Sequence, residues 1–454
     1  MKLDHRFLVV ALSGLLFGSL DAAADLVEIG KARGQVFKGW GEVLSSDELA
    51  VTGRSFTKKS LVFTGLKPEI VFFGIHGDWY ESGRDDGTLA SANVERGLFP
   101  KLKMMLDSGA KVYATYEDSI PTGFTRYGKV NSFDRQVEHR RQADHVAYLL
   151  KLFEMVRKAG FPLPVAHSVQ VPVEVSMIRA EGFSAEGDDW RTDGLLLAEQ
   201  FKERFGSKLR VIGPDAQSVH ETVVRVTRQE FAKAAGGFRD AFPPDFEFGF
   251  SNPGSEIPGT DRFGQFRQLI ADSSTAGRDI WMTGWFAPEA KTEQEACIQA
   301  AQRIAGEVTK FRVNYWIWGY GYCMDYSSHT LVYKDGETTR LFGLFQTLWG
   351  EVRPGFVVHS VSFDDPELGI PSGYADANGI AFENGGKTVL LLVNPTGKDK
   401  TATLGTGEAV TANAWRFGDK PESTETKPPI AAHQVHLSLP AVSVTVVELS
   451  GPGP

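Results

Sequence analysis

Carboxylates and tryptophans recur directly after short apolar segments of this sequence. Asp78 and Trp79 follow one such segment, and Glu117 and Glu174 follow two others. A pair of carboxyl groups can cleave a glycosidic bond, one as general acid and the other as base or nucleophile. The residue types therefore indicate carbohydrate chemistry, although each of these side chains is also typical of an ordinary solvated loop.

Three tryptophans lie at the ends of segments of the same kind, namely Trp79, Trp285 and Trp318. Flat aromatic rings stack on the apolar faces of sugars, and carboxylates such as Glu42 accept hydrogen bonds from sugar hydroxyls. We therefore predict that these four residues bind substrate. Tryptophans at such positions also serve as core packing, and that alternative stays open.

Metal chemistry and serine-nucleophile chemistry have less support. His76 and Asp78 form the only close histidine–carboxylate pair at the end of a segment, and no His-x-His occurs. A metal-dependent hydrolase needs several such ligands, and a serine hydrolase of the common type needs Gly-x-Ser-x-Gly, which is absent. We expect neither a catalytic metal nor a cofactor.

Eight apolar segments, which alternate with helical patterns, would position these residues. The segments are Val36–Trp40, Ile70–Ile75, Lys111–Thr115, Val165–Val171, Leu209–Ile212, Phe246–Phe250, Ile280–Thr283 and Val313–Trp318. Continuous apolar runs are typical of parallel strands that are buried on both faces. Eight strand–helix units predict an α/β fold, a (β/α)8 TIM barrel over 36–350, whose ligands bind at the C-terminal ends of the strands.

The pattern changes after Arg353, Pro354 and Gly355. The runs become short and alternating, and turn signals separate them, as at Asn378-Gly379. This pattern predicts an antiparallel β-sandwich of roughly 100 residues over 351–451. Residues 25–35 are expected to add a strand to it.

The first 24 residues have the pattern of a signal peptide. A weakly basic start precedes an apolar run at 7–20, and Ala22 to Ala24 supply the small residues of a cleavage site. Cleavage after Ala24 predicts a secreted or periplasmic protein, and no later segment is apolar and long enough to span a membrane. The two cysteines, Cys297 and Cys323, form a disulfide only if their Cα atoms lie close together, which the sequence leaves open.

Composition limits the partners. The chain has 454 residues, 42% of them hydrophobic, which is enough for a barrel and a second domain, and its net charge is −9. A negative net charge argues against nucleic acid and against an anionic membrane surface as partners. A poly- or oligosaccharide is compatible with it.

Several stretches resemble glycoside hydrolase family 30, a family of retaining (β/α)8 glycosidases with a side β-sandwich. The resemblance rests on 39–42, on the helix from Asp144 with the run 160–170, on 211–215, and on 341–355, which ends in Arg353-Pro354-Gly355. It covers nearly the whole chain after the signal segment, as scattered short matches. It implies a hydrolase scaffold that acts on a β-linked glycan, with Trp318 lining the sugar site.

The sequence departs from the family at both catalytic positions. The acid/base is expected in a Gln-Asn-Glu-Pro sequence, yet Gln170 is followed by Val171 and Pro172, and Glu174 comes two places after the expected glutamate. The nucleophile is expected after Trp-x-Thr on the seventh strand, where this chain has Gly284. Glycine has no side chain that could form a covalent intermediate.

Three functions remain open from the sequence. The first is an active glycosidase with relocated carboxylates, with Glu174 as the acid and Glu117, Asp78 or Glu42 as base or nucleophile. The second is a non-catalytic glycan-binding relative of such an enzyme. The third is a barrel hydrolase or lyase of another class.

Overall fold

The computed structural model describes residues 25–32, 34–44, 62, 64–76, 88–107, 109–110, 112–119, 141–168, 189–216, 246–250, 262–275, 277–285, 290–319, 330–333, 336–369, 376–418 and 423–451. Two β-structures account for most of them. One is a closed barrel and the other is a ten-stranded sheet.

Strand β1 (Asp25–Ile29) belongs to the second sheet, and the next eight strands close the barrel in chain order. They are β2 (Gly39–Leu44), β3 (Ile70–His76), β4 (Val112–Ser119), β5 (Ala166–Ser168), β6 (Arg210–Ala216), β7 (Phe246–Phe250), β8 (Ile280–Trp285) and β9 (Tyr315–Trp318). Every neighbouring pair is parallel, and β9 pairs with β2 to close the ring. The predicted (β/α)8 barrel is confirmed.

Helices follow the barrel strands. The described ones are α1 (Ser91–Gly97), α2 (Phe99–Asp107), α3 (Gln142–Lys158), α4 (Asp189–Phe205), α5 (Arg262–Thr275), α6 (Glu293–Lys310) and α7 (Arg340–Glu351), and a short α8 (Pro366–Gly369) lies later in the chain. The buried face of α3 carries Val146, Leu149 and Phe153, the spacing that lets one side of a helix cover a sheet. Thr292 caps α6 by accepting a hydrogen bond from the Glu295 amide at 3.1 Å.

Successive side chains of each barrel strand point alternately into the barrel lumen and towards the helices. Ile70, Phe72 and Ile317 pack together inside the lumen. Val71, between Ile70 and Phe72, packs instead in the helix layer beside α1, α2 and α3. Both faces are buried, which explains why the strands read as continuous apolar runs rather than alternating ones.

The first barrel strand begins later than expected. Val36 forms an isolated antiparallel bridge with Val357, and the strand itself starts at Gly39. Glu42 therefore lies within a strand rather than after one. The apolar residues before Gly39 serve the second sheet, so hydrophobicity alone placed the boundary too early.

The second sheet contains β1 and the strands after the barrel. These are β10 (Val357–Phe363), β11 (Gly379–Asn384), β12 (Lys387–Asn394), β13 (Lys400–Gly405), β14 (Thr411–Phe417), β15 (Thr424–Thr426), β16 (Ile430–Ala431), β17 (Gln434–Leu439) and β18 (Ser443–Ser450). Their order is β15-β14-β18-β12-β11-β10-β1-β13-β17-β16. Both halves of this order contribute to one apolar core, for example through Leu390 of β12 and Leu437 of β17, so the sheet curls into a sandwich.

The predicted β-sandwich is antiparallel at every described pair of strands except one. β1 pairs antiparallel with β10 but parallel with β13, so the sheet is mixed. A strand donated from the far end of the chain approaches without a hairpin connection, so its direction is not determined by a turn.

The sandwich packs on the barrel through a shared apolar cluster. Val389, Leu391 and Val393 of β12 face this cluster, whereas Leu390 and Leu392 face the core of the sandwich. Cluster members from the barrel side include Trp40, Trp349 and Cys297, a buried thiol; Cys323 lies outside the described residues. None of the described helices is long and apolar enough to cross a membrane.

Candidate functional site

Asp215 is a buried carboxyl group in the upper part of the barrel lumen, at the C-terminal end of the fifth barrel strand, β6. Only 1% of its surface is exposed. Its Oδ2 accepts a hydrogen bond from Ser168 Oγ, at the end of β5, and its Oδ1 accepts one from Thr283 Oγ1 on β8. One side chain thus joins the fourth and seventh barrel strands.

Glycine at position 249 makes room for Ile212 beside this network. A Cβ added at Gly249 of β7 would lie 2.2 Å from Ile212 Cγ2, 3.6 Å from Thr283 Cγ2 and 3.7 Å from Asp215 Cβ. The first distance is prohibitive, so a larger residue would displace Ile212, whereas the other two are ordinary contacts. Thr283 Oγ1 also lies 3.1 Å from the Phe250 carbonyl oxygen, so strands β5 to β8 all contribute to this layer.

A β-bulge directs Asp215 into the lumen. The register between β6 and β7 shifts between Pro214 and Ala216, and Asp215 has a φ of 46°. Since Ile212 faces the lumen, regular alternation would turn residue 215 towards the helices. The extra residue of a bulge reverses that direction, as bulges do where a side chain must be re-aimed.

Burial raises the pKa of the Asp215 carboxyl from its ordinary value to about 6, because the charged form loses its hydration. The hydrogen bonds from Ser168 and Thr283 act in the opposite direction. The group therefore changes charge in a mildly acidic range, unlike an exposed aspartate.

Gly284 follows Thr283 directly and marks a second irregularity. The register between β8 and β9 shifts between Met282 and Trp285. A Cβ added at Gly284 would contact Val43 Cγ2 at 3.5 Å and Gly319 Cα at 3.9 Å, which are ordinary van der Waals distances. Val43 belongs to the lumen cluster, so this position faces the lumen and has space for a Cβ.

A second polar cluster occupies the opposite end of the lumen. Arg210 forms an ion pair with Glu247 at 3.4 Å, and its guanidinium lies 5.2 Å from the centroid of the Trp281 ring. Trp281 Nε1 donates to Glu247, and Arg210 donates to Tyr315 Oη at 3.3 Å. These residues lie at the N-terminal ends of the strands, where barrel residues contribute to stability rather than to ligand binding.

Comparison with solved structures gives clear matches. A family 30 subfamily 8 xylanase from Clostridium acetobutylicum has a TM-score of 0.66 at 15% identity, covering 94% of this chain and 100% of its own. The chain has the fold of a family 30 glycoside hydrolase. A conserved exported protein from Bacteroides fragilis has a TM-score of 0.67 at 14% identity, covering 93% and 100%.

SrfJ from Salmonella typhimurium is equally similar in structure, with a TM-score of 0.67 at 14% identity over 94% of this chain and 93% of its own. No family model and no curated protein matches the chain in sequence. The resemblance to family 30 is thus confirmed at the level of the fold, and it rests on the shape of the barrel with its side sandwich.

Five residues predicted for a sugar site have no described side chain. Asp78, Trp79 and Glu174 lie outside the described residues. Glu117 and Trp285 lie within β4 and β8, and only their backbone is described. Their roles as acid, base, nucleophile or sugar platform remain predictions.

The sugar-binding role predicted for Trp318 is corrected by its position. Its side chain is fully buried, and the centroid of its ring lies 5.1 Å from the centroid of the Phe345 ring on α7. Tyr315 and Ile317 of the same strand face the lumen, so Trp316 and Trp318 face the helices. No surface of the Trp318 ring is open to a ligand in this structure.

The substrate-binding role predicted for Glu42 is corrected for the same reason. Gly41 and Val43 face the lumen: a Cβ at Gly41 would meet Ile317 Cδ1 at 2.3 Å, and Val43 packs in the lumen cluster. Glu42 therefore points to the helix side, in register with Trp318, and is only 1% exposed. It does not line a cleft at the top of the barrel.

Sequence reasoning missed Asp215 as a site residue. The fifth apolar segment, Leu209–Ile212, predicts a strand that ends before Asp215, whereas Gly213, Pro214 and Asp215 form part of β6 itself. A proline inside a strand is a signal for a bulge or an edge, and that signal could have drawn attention to Asp215. Among the described residues, no group of three or more His, Cys, Asp or Glu side chains could hold a metal ion.

Proposed function

We propose that this protein binds a β-linked poly- or oligosaccharide in a cleft at the C-terminal ends of the barrel strands. The cleft would be lined by aromatic and carboxyl side chains that include Trp79, Trp285, Glu117 and Asp78. The scaffold is that of a glycosidase, but the seventh barrel strand supplies no nucleophile. The fold supports a glycan as the ligand, because the similar structures include xylanases of family 30.

Gly284 supports a binding function most directly. It lies towards the end of β8, faces Val43 in the lumen and follows the Trp-x-Thr sequence after which family 30 carries its nucleophile. Double displacement requires a carboxylate that attacks the anomeric carbon. With hydrogen at that position no covalent glycosyl intermediate can form, while stacking and hydrogen bonding to a sugar are unaffected.

Binding and turnover should be measured on the same purified protein, beginning at Asp25. A panel of β-1,4-xylan, β-1,4-glucan, β-1,3-glucan and β-1,6-glucan oligosaccharides would be titrated by calorimetry and assayed for release of reducing ends. We expect saturable binding of at least one oligosaccharide and no release of product. Binding to none would contradict the proposed function, and turnover by the wild-type protein would favour a glycosidase with relocated carboxylates.

Restoring a carboxylate at position 284 tests why turnover is missing. The space around Gly284 accepts a Cβ at ordinary contact distances, so the first atom of a longer side chain fits at this position. If Glu174 is the acid, Gly284→Glu gains hydrolysis with retained anomeric configuration. The matched Gly284→Gln variant and the double variant Gly284→Glu/Glu174→Gln stay inactive. Activity that survives in the double variant would refute the assignment of Glu174.

A secreted or periplasmic location fits a polysaccharide ligand. Strand β1 begins at Asp25, so cleavage after Ala24 would leave every described strand intact. Expression with the native N-terminus, followed by fractionation and N-terminal sequencing, tests this location. We expect a mature protein that starts at Asp25 outside the cytoplasm; a cytoplasmic protein that retains residues 1–24 would contradict it.

A further inference from the structure

We propose that Asp215 is a positioning residue that holds together the ends of the fourth and seventh barrel strands and thereby shapes the glycan cleft built on them. This inference rests on the proposed function. Asp215 itself is buried and makes no direct contact with a ligand in this role; it acts through Ser168 and Thr283.

Two hydrogen bonds to Asp215 link the end of β5 to β8. Each carboxyl oxygen of Asp215 accepts one hydroxyl, Oδ2 from Ser168 and Oδ1 from Thr283. All three side chains are buried, with exposed fractions of 5% or less. In such surroundings water does not replace a lost partner. Without the Asp215 carboxyl, Thr283 would turn to the Phe250 carbonyl of β7 alone, and the link from β8 to β5 would be lost.

The two strand ends lead directly into the residues expected to contact a sugar. Ser168 is the last residue of β5, and the chain runs on from it towards Glu174. Thr283 is followed by Gly284 and Trp285. A shift of either hydroxyl would therefore move the starts of the segments to which the proposed function assigns the sugar contacts, and ligand binding is sensitive to small displacements of this kind.

The backbone around Asp215 is distorted in order to place the carboxyl there. The bulge interrupts the ladder between β6 and β7, and the positive φ is one that residues with a side chain adopt at an energetic cost. An apolar residue in a regular strand would fill the lumen without either distortion. The arrangement is therefore better explained by a need for a carboxyl at this point than by packing.

Glu247 offers a matched control within the same lumen. It is a half-buried carboxylate on the neighbouring strand β7, it accepts hydrogen bonds from Arg210 and Trp281, and it lies at the N-terminal end of the barrel. Asp215→Asn and Glu247→Gln make the same chemical change: each replaces one carboxyl oxygen by an amide NH2 group. Both variants are expected to lower the midpoint temperature of unfolding. If Asp215 only stabilised the fold, the two variants would therefore change the affinity for glycan by the same factor.

The test measures the dissociation constant for the best oligosaccharide of the panel and amide hydrogen exchange in the full chain without ligand. We expect Asp215→Asn to weaken binding at least tenfold and to speed exchange at Ser168 and at 283–285, with 315–317 unchanged. Glu247→Gln should bind within twofold of the wild type. Equal dissociation constants for the two variants would overturn the inference.

A second pair of variants keeps the test decisive if Asp215→Asn fails to fold. Thr283→Val removes the hydroxyl while preserving shape, and Thr283→Ser retains it. We expect the valine variant to reproduce the loss of affinity and the serine variant to restore it to within threefold. If the wild type binds no glycan, the proposed function fails by itself; unchanged exchange in Thr283→Val would separately refute positioning by Asp215.

Discussion

Glu307 is a carboxyl group that is shielded from water. It lies on α6, is fully buried, and accepts a hydrogen bond from Trp316 Nε1 at 2.8 Å. Burial raises the pKa of its carboxyl to about 8, against the smaller opposing effects of Arg303 and of the Trp316 hydrogen bond. At neutral pH the group is therefore mainly protonated in the folded protein and ionised in the unfolded chain.

This difference makes the stability of the protein depend on pH. The folded state retains a proton that the unfolded state releases above its ordinary pKa of 4.5, so stability is lost as the pH rises from 4.5 to about 8. The loss should be on the order of 4 kcal/mol. Glu307→Gln keeps an acceptor for Trp316 and should remove this slope, as measured by urea unfolding at pH 5 and pH 8.

Glu199, an exposed glutamate on α4, provides the control. Glu199→Gln should leave the pH dependence as in the wild type. A Glu307→Gln variant that loses stability between pH 5 and pH 8 as steeply as the wild type would show that Glu307 does not carry the proton.

Helix α7 illustrates how one element is held at its start. Thr339 accepts a hydrogen bond from the Phe342 amide at 3.2 Å and donates to the Thr330 carbonyl at 2.9 Å. Glu293, in the first turn of α6, accepts from the Arg340 amide at 2.9 Å. The N-terminus of α7 is thus tied both to the preceding chain and to the neighbouring helix.

Removal of this cap should destabilise the protein measurably. Thr339→Ala is expected to lower the free energy of unfolding by about 1–2 kcal/mol, because a cap is lost and the Thr330 carbonyl loses its donor. Thr292→Ala on α6 removes an exposed cap and should cost about 0.5–1 kcal/mol. Urea unfolding of both variants measures the difference, and an equal or larger cost for Thr292→Ala would contradict this ranking.

At the scale of the whole molecule, barrel and sandwich share one apolar cluster. Trp40 on the outer face of β2 stacks on Trp349 of α7, with ring centroids 6.0 Å apart and planes at 7°. It also meets Phe382 of β11 edge to face at 6.1 Å and donates from Nε1 to the Val352 carbonyl at 2.9 Å. The interface therefore has the composition and packing of a domain core.

Such an interface predicts that the two parts unfold together. Trp40→Ala should cost about 3–5 kcal/mol and lower the temperature of a single calorimetric transition that contains both parts. Two separate transitions in the wild-type protein would contradict this prediction. An unchanged transition in Trp40→Ala would show that the ring contributes little to joining them.

The sequence alone determined the architecture, because architecture follows from periodicity. Strands buried on both faces appear as continuous apolar runs such as 246–250, and that segment is β7 without change. The change of pattern after Gly355 predicts the second sheet. The alternation of Val442, Val444 and Val446 with Ser443 and Thr445 is typical of a strand, and the last strand is Ser443–Ser450.

The face that each side chain occupies depends on contacts between distant strands. A strand boundary that is uncertain by a few residues leaves the direction of Glu42 and Trp318 undetermined, since a shift of one residue reverses every side chain. Asp215 reaches the lumen through a bulge, and the length of a strand segment does not reveal an extra residue. The partners of that carboxyl, Ser168 and Thr283, lie on strands that become near neighbours only when the barrel closes.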